Sequence, residues 1–165
     1  MRYAPDIDFP PYAFLPGRDP HPVRDPSGHS YTEAEEPAPE HIEAANWREN
    51  APYLYGVDLY NHGYLWEAHE AWESIWHPSK HDELHADFLQ GLIQCAAACL
   101  KVAMNQPAGL VKLSELGIGR LERVAAKVGP EFMGIDLDTF TREMKVFASS
   151  EPETADERPR LTLYR

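Results

Sequence analysis

The sequence is short of cysteine, of long apolar runs and of positive charge, and each shortage closes off a class of protein. Only two cysteines, Cys95 and Cys99, occur in 165 residues. That is too few for the disulfide framework of a small secreted domain. They sit four apart in an apolar helical run, on neighbouring positions of one face, which makes them two buried, reduced thiols. Such usage fits a reducing compartment. The start, Met1-Arg2-Tyr3-Ala4-Pro5-Asp6, has no apolar stretch behind its basic residue, so no secretory signal is expected. No apolar run approaches the roughly 20 residues that cross a bilayer. The longest, near 89–104, is interrupted by Gln90, Gln94 and Lys101. A cytoplasmic location is expected. Lys and Arg number 15 against 27 Asp and Glu, a formal charge of −12. That field repels phosphate backbones and anionic lipid, so neither nucleic acid nor a membrane surface is expected as a partner.

What remains is an ordinary globular mixture, 43% hydrophobic and 25% charged, in a length that suits one core. Three textures follow one another. Residues 1–39 hold nine of the fifteen prolines, which argues against regular helix or inner strand. This arm nevertheless carries Tyr3, Phe9, Tyr12, Phe14 and Tyr31, whereas disordered tails are poor in aromatics. An extended arm with its aromatic side chains laid on a helical body is expected. Asp25-Pro26-Ser27-Gly28 reads as a turn, and Thr32-Glu33-Ala34-Glu35-Glu36 as a solvated acidic run. Residues 40–150 read as the helical domain and 151–165 as a polar tail, from which only Leu161, Leu163 and Tyr164 are expected to dock back.

Within 40–150 the start and stop signals are frequent. A short helix over 40–48 is followed by one that Asn50 caps, with Pro52 in its first turn. It should end at Asn61-His62-Gly63, with Gly63 in the left-handed conformation. The next runs from Tyr64 to about Trp76 and stops before Pro78. A long helix spans about 82–104, another 108–127, and the last starts at Asp136. There Leu137, Phe140, Met144 and Phe147 form an amphipathic stripe. No strand pattern competes. The fold class is therefore all-α, a compact bundle of about five helices with the Pro-rich arm packed on it. The 82–104 helix, apolar almost all round, should be central. Gln90, Gln94 and Lys101 fall on one narrow stripe of it, which must meet water, a polar partner or a ligand.

The densest chemistry lies in Tyr64-Leu65-Trp66-Glu67-Ala68-His69-Glu70-Ala71-Trp72-Glu73-Ser74-Ile75-Trp76. On a helical wheel Tyr64, Leu65, Ala68, Trp72, Ile75 and Trp76 share the core arc. His69 stands at its edge, Glu73 one turn on, then Trp66. Glu70 is at the boundary, and Glu67 points most nearly to solvent. An i, i+4 His69–Glu73 pair flanked by indoles has three uses. Both could ligate a divalent metal. Glu73 could raise the basicity of the imidazole and make it a general base. Or the two could satisfy each other in the core, the usual fate of buried polar groups. Glu70, Gln90, Gln94 and His62 are the further suppliers a ligand site would call on. His29 would close a metal site with His69, Glu73 and His62 if the arm folds over the helix; otherwise His21 and His29 are turn residues. His81 and His85, beside Asp82 and Glu83, read as a solvated helix start. There is no second His/Glu pair of the dinuclear kind, no His-Glu-x-x-His, no Gly-x-Ser-x-Gly elbow and no dinucleotide loop. Gly117 and Gly119 read as permitting close helix packing.

At these residues the sequence resembles the domain of unknown function 309 family. Its His-x-x-x-Glu-x-x-Trp motif corresponds to His69, Glu73 and Trp76. Asn61-His62-Gly63-Tyr64 is similar to its lead-in, and Phe88-Leu89-Gln90-Gly91-Leu92-Ile93-Gln94 to its second signature. The resemblance covers about 53–125, and the arm segment from Pro20 to Tyr31 resembles a longer subgroup. It implies a compact bacterial or archaeal helical protein and no particular activity.

Two functions stay open on this reading. One is a small-ligand or metal-binding pocket of His69, Glu73, Glu70, Gln90, Gln94, Trp66 and Trp76 between the 64–76 and 82–104 helices, roofed by the arm. The other is a structural or protein-interaction module whose polar cluster only fixes helix packing. Enzymatic activity is left undecided, as is a homo-oligomer, since the arm's aromatics could serve a partner subunit as well as their own body.

Overall fold

The computed structural model describes residues 1–32, 34 and 36–164; Glu33 and Glu35 of the acidic run, and Arg165, lie outside the described residues. The helices begin and end on the residues that local chemistry selects. The first segment is a 3-10 helix, Ala44–Glu49, kinked at Asn46. The Asn50 side chain accepts the Tyr53 amide at 3.1 Å and opens α1 (Ala51–Asn61). Gly63, at φ +88°, then redirects the chain into α2 (Leu65–Trp76). A 3-10 turn holding Pro78 follows, and Asp82 caps α3 (Glu83–Ala103) by accepting the His85 amide. α4 (Pro107–Val128) starts on its proline, and α5 (Leu137–Ser149) on the Asp136 cap.

Each helix packs on the next, and α3 holds the centre, against α4 most extensively and then α2. This is an all-α bundle with the arm wrapped on it. The α3–α4 crossing is close because two glycines meet. A Cβ on Gly117 would stand 2.8 Å from both the Gly91 carbonyl oxygen and Cys95 Sγ. Gly119 plays no such part, its nearest neighbour being Arg123 at 3.6 Å. Cys95 and Cys99 are free and buried, and burial pushes both thiols far above their ordinary range.

α3 departs from expectation in one respect. By length and composition it is long and apolar enough to cross a membrane; its few polar residues are spaced too widely to break the run. Its apolar faces are already occupied, with Phe88, Leu89, Leu92 and Ile93 buried in the common core.

A strand pair, unexpected from the sequence, links α4 to α5. Glu131–Phe132 (β1) and Ile135–Asp136 (β2) pair antiparallel, with Phe132 opposite Ile135. Met133 and Gly134 between them take φ of +46° and +80°, the sign a two-residue hairpin loop demands. Strands of two residues leave no alternation to read. The hairpin closes one end of the core: Tyr53 donates to the Met133 carbonyl at 2.8 Å, and Trp47 lies against Gly134.

Both chain ends are pinned to α1. Buried Asp58 accepts the Tyr3 amide at 2.9 Å and the Ala4 amide at 2.8 Å. At the other end Leu161 and Leu163 dock, whereas Tyr164 stays half exposed. Arg158 docks as well, which its charge disguised. Its guanidinium is buried and donates to the Tyr60 and Asn61 carbonyls, at 2.6 and 3.1 Å. These carbonyls lie in the last turn, where a helix offers no i+4 amide to accept. The Asn61 amide completes the junction, bonding the Leu161 carbonyl and amide at 2.8 Å each.

Of the arm's aromatics, Phe14 is buried, and Phe9 stacks on Tyr64 with centroids 5.0 Å apart. Tyr12 packs on His29, and Tyr3 accepts the Leu163 amide. Tyr31 does not join them and is exposed, next to the exposed residues Thr32, Ala34 and Glu36. The Asp25–Gly28 turn forms, closed by the Gly28 amide on the Asp25 carbonyl at 2.8 Å.

Candidate functional site

α2 has two covered faces. Leu65, Ala68, Trp72 and Ile75 enter the core. The opposite face, assigned to solvent by the wheel, lies under the arm, and Glu67 there is only 5% exposed. The expectation that Glu67 points outward is thus overturned. A wheel assumes water on the side away from the core, and here that side meets protein. Glu67 Oε1 accepts the Phe14 amide at 2.7 Å and contacts His29 Nε2 at 2.9 Å. The imidazole is set from the arm: His29 Nδ1 meets Ser30 Oγ at 2.7 Å, and the His29 amide donates to the Tyr12 hydroxyl. Glu67 Oε2 is buried and has no hydrogen-bond partner. A buried carboxylate oxygen without a donor is costly.

Glu67 also lines a groove of about 510 Å³ between the arm and the outer faces of α1 and α2. Trp66, Glu70, Tyr55, Pro10 and His29 share its wall. Apolar walls around a few polar groups are the composition of small-molecule sites. Trp66 is fixed by edge-on contacts with Phe14 and His21, at centroid distances of 5.3 and 5.5 Å. A signal for this face was present in the sequence. Glu67, Ala71 and Ser74 follow at i, i+4 and i+7, and two small residues on one helix stripe let a backbone approach.

The other expected residues sort themselves differently. His69 Nε2 lies 3.5 Å from Glu73 Oε2, and His69 Nδ1 3.3 Å from Glu70 Oε1. The ligand-capable atoms of these three lie within 4.8 Å of one another. Burial alone would lower the imidazole's proton affinity. The contact with Glu70 and the charges of Glu70 and Glu73 outweigh it, so the His69 pKa lies above its ordinary value. A metal there competes with a proton that the ring holds more firmly than an ordinary imidazole does. The remaining suppliers do not arrive. His29 bonds Glu67, and His62 bonds the Asp58 carbonyl at 2.8 Å and lies on Phe9. Gln90 and Gln94 make no hydrogen bond to His69 or Glu73 and do not line the groove; Gln94 Oε1 is buried without a partner. Nor does Trp76 line it; Lys80 stands over its ring at 4.3 Å. Gln90 and Gln94 thus stand apart from the groove, on a helix that packs directly against α2. His85, expected at a solvated helix start, is buried.

These features define a class: an all-α domain whose N-terminal arm crosses two consecutive helices and leaves a half-apolar groove over a buried carboxylate. Residues 53–113, from α1 into the first turns of α4, match a family model described as Domain of unknown function (DUF309). The chain resembles that family across the helices that carry His69, Glu73 and Glu67, while the arm lies outside the matched stretch. No curated protein and no solved structure matches the chain.

Proposed function

We propose that this protein binds a small organic molecule in the groove between its arm and the α1–α2 pair. The ligand has an apolar, ring-sized body and one hydrogen-bond donor, a hydroxyl or an amine. The observation that carries this reading is Glu67, a buried carboxylate with one oxygen fully engaged by the arm and the other without a donor, beside an apolar groove. The donor would satisfy Oε2, while Trp66 and Tyr55 would face the ring. Relative to the sequence reading, the site moves about half a turn round α2. It keeps Trp66, Glu70 and His29, adds Glu67, and leaves the His69–Glu73 pair outside.

The experiment is a thermal-shift screen of phenols, aromatic amines and amino alcohols, followed by Trp fluorescence titration of the hits. Glu67→Gln should weaken a genuine hit by about tenfold or more, the scale of one charge-assisted hydrogen bond. Hits that bind Glu67→Gln unchanged, or perturb no residue of the groove by NMR, would refute the reading. A structural role for the same pair has its own support, since Glu67 Oε1 already holds the arm through the Phe14 amide. On that reading Glu67→Gln changes stability alone and the screen stays empty.

A further inference from the structure

A second polar cluster shares no residue with the groove. It forms where the chain enters the helical body. His41 comes from the segment before the first 3-10 helix, Ser79 and His81 from the connection between α2 and α3, and His85 from the first turn of α3. Ser79 is buried, and its hydroxyl donates to the Ile75 carbonyl at 2.7 Å. A hydroxyl has one proton to give. At its 3.0 Å contact with His41 Nδ1 it can therefore only accept. His41 Nδ1 carries the hydrogen, and the lone pair of the neutral ring sits on Nε2. That Nε2 is buried, has no hydrogen-bond partner, and lies 3.5 Å from Glu43 Oε1. A lone pair and a carboxylate oxygen this close repel unless a cation, a proton or a metal ion, lies between them.

His81 supplies a second imidazole, its ring edge-on to His41 with centroids 4.4 Å apart. The ligand-capable atoms of His41, Glu43 and His81 lie within 4.8 Å of one another. Glu43 and His81 are both on the surface, so their side chains are free to draw in on an ion beside His41. His85 is fully buried with both ring nitrogens unpartnered, its centroid 5.4 Å from that of His41. Two imidazoles and a carboxylate are a donor set for zinc and its first-row neighbours. Ser79 supplies the hydrogen bond at the far nitrogen that orients a metal-binding imidazole.

We propose that His41, Glu43 and His81 form a binding site for one divalent first-row transition metal ion. His41 ligates through Nε2, and Ser79 is a positioning residue. The rival is a plain imidazolium–carboxylate pair, with a proton where the ion would be.

The test uses the full chain, untagged and stripped with chelator, titrated with Zn2+ by calorimetry and with Co2+ by visible absorption. One Zn2+ per chain and a Co2+ d–d band are expected. His81→Ala, at an exposed position and safe for folding, should weaken Zn2+ at least tenfold, and His41→Ala likewise. Ser79→Ala should weaken it by a smaller factor and leave the stoichiometry intact. His69→Ala should change nothing. Absence of Zn2+ uptake at tens of micromolar would overturn the proposal in favour of the proton-bridged pair. Uptake that survives His81→Ala and is lost in His69→Ala would overturn it in favour of the His69–Glu70–Glu73 cluster.

Discussion

Truncating Glu67 to alanine tests whether the arm is held to α2 by one buried carboxylate. The substitution removes the acceptor for the Phe14 amide, at 2.7 Å, and the partner of His29 Nε2, at 2.9 Å. Phe14 is 7% exposed and the His29 side chain 2%, so water cannot readily replace either contact. Each orphaned buried group costs about 1–3 kcal/mol. The loss is partly offset because the unpartnered Oε2, and its desolvation, disappear with the side chain. A net destabilisation of about 2–4 kcal/mol follows. In a domain of this size each kcal/mol lowers Tm by roughly 2–4 °C, so a fall of about 5–15 °C is expected. Glu67→Gln, which keeps a carbonyl for the Phe14 amide, should cost only about 1 kcal/mol. Urea unfolding followed by Trp fluorescence gives the free energies. Hydrogen exchange at the Phe14 amide shows whether the arm itself is released. A Glu67→Ala protein within about 0.5 kcal/mol of wild type, with Phe14 still protected, would show that the arm is held by its aromatic contacts and that Glu67 is incidental.

The two glycines of α4 should behave oppositely. Gly117→Ala drives a methyl group against the Gly91 carbonyl and Cys95 Sγ, each 2.8 Å away, and should cost about 1–3 kcal/mol in thermal or urea unfolding. Gly119→Ala meets only ordinary contact and should be neutral or stabilising by up to about 1 kcal/mol. The pH dependence of His69 has a definite sign. Its folded pKa is raised by Glu70 and Glu73 over the opposing effect of burial, so folding favours the protonated ring. The stabilisation is complete below the ordinary histidine pKa and is lost as pH rises through the folded value. An NMR titration should place the His69 midpoint above that of a model imidazole, and Glu70→Gln should bring it down.

The site was legible where its residues carried their own local signal. The Asn50 and Asp136 caps and the left-handed Gly63 all follow from short-range chemistry. The convergence of Glu70 and Glu73 on His69 follows from i, i+1 and i, i+4 geometry on one helix. Glu67, Asp58, Arg158 and His41 gave no such signal. Each is a polar residue whose partner lies far along the chain: Asp58 on Tyr3 and Ala4, Arg158 on Tyr60 and Asn61, Glu67 on Phe14 and His29, His41 on Ser79. Polarity by itself argues for exposure, and only a distant partner reverses it.

The sequence by itself determined that this chain would form helices, about where α1 to α5 begin and end, and which stripe of each is apolar; the first short segment, expected over 40–48, instead forms as the 3-10 helix Ala44–Glu49. Those outcomes depend on hydrogen bonds and spacings within a few residues. The tertiary structure alone decided what lies on the other side of each helix. It laid the arm over α2 and turned an outward carboxylate into a buried one. It also brought His41 across to Ser79, which fixed the protonation of a ring nitrogen. Burial and proton placement depend on contacts between segments tens of residues apart, and no local pattern records which segments meet.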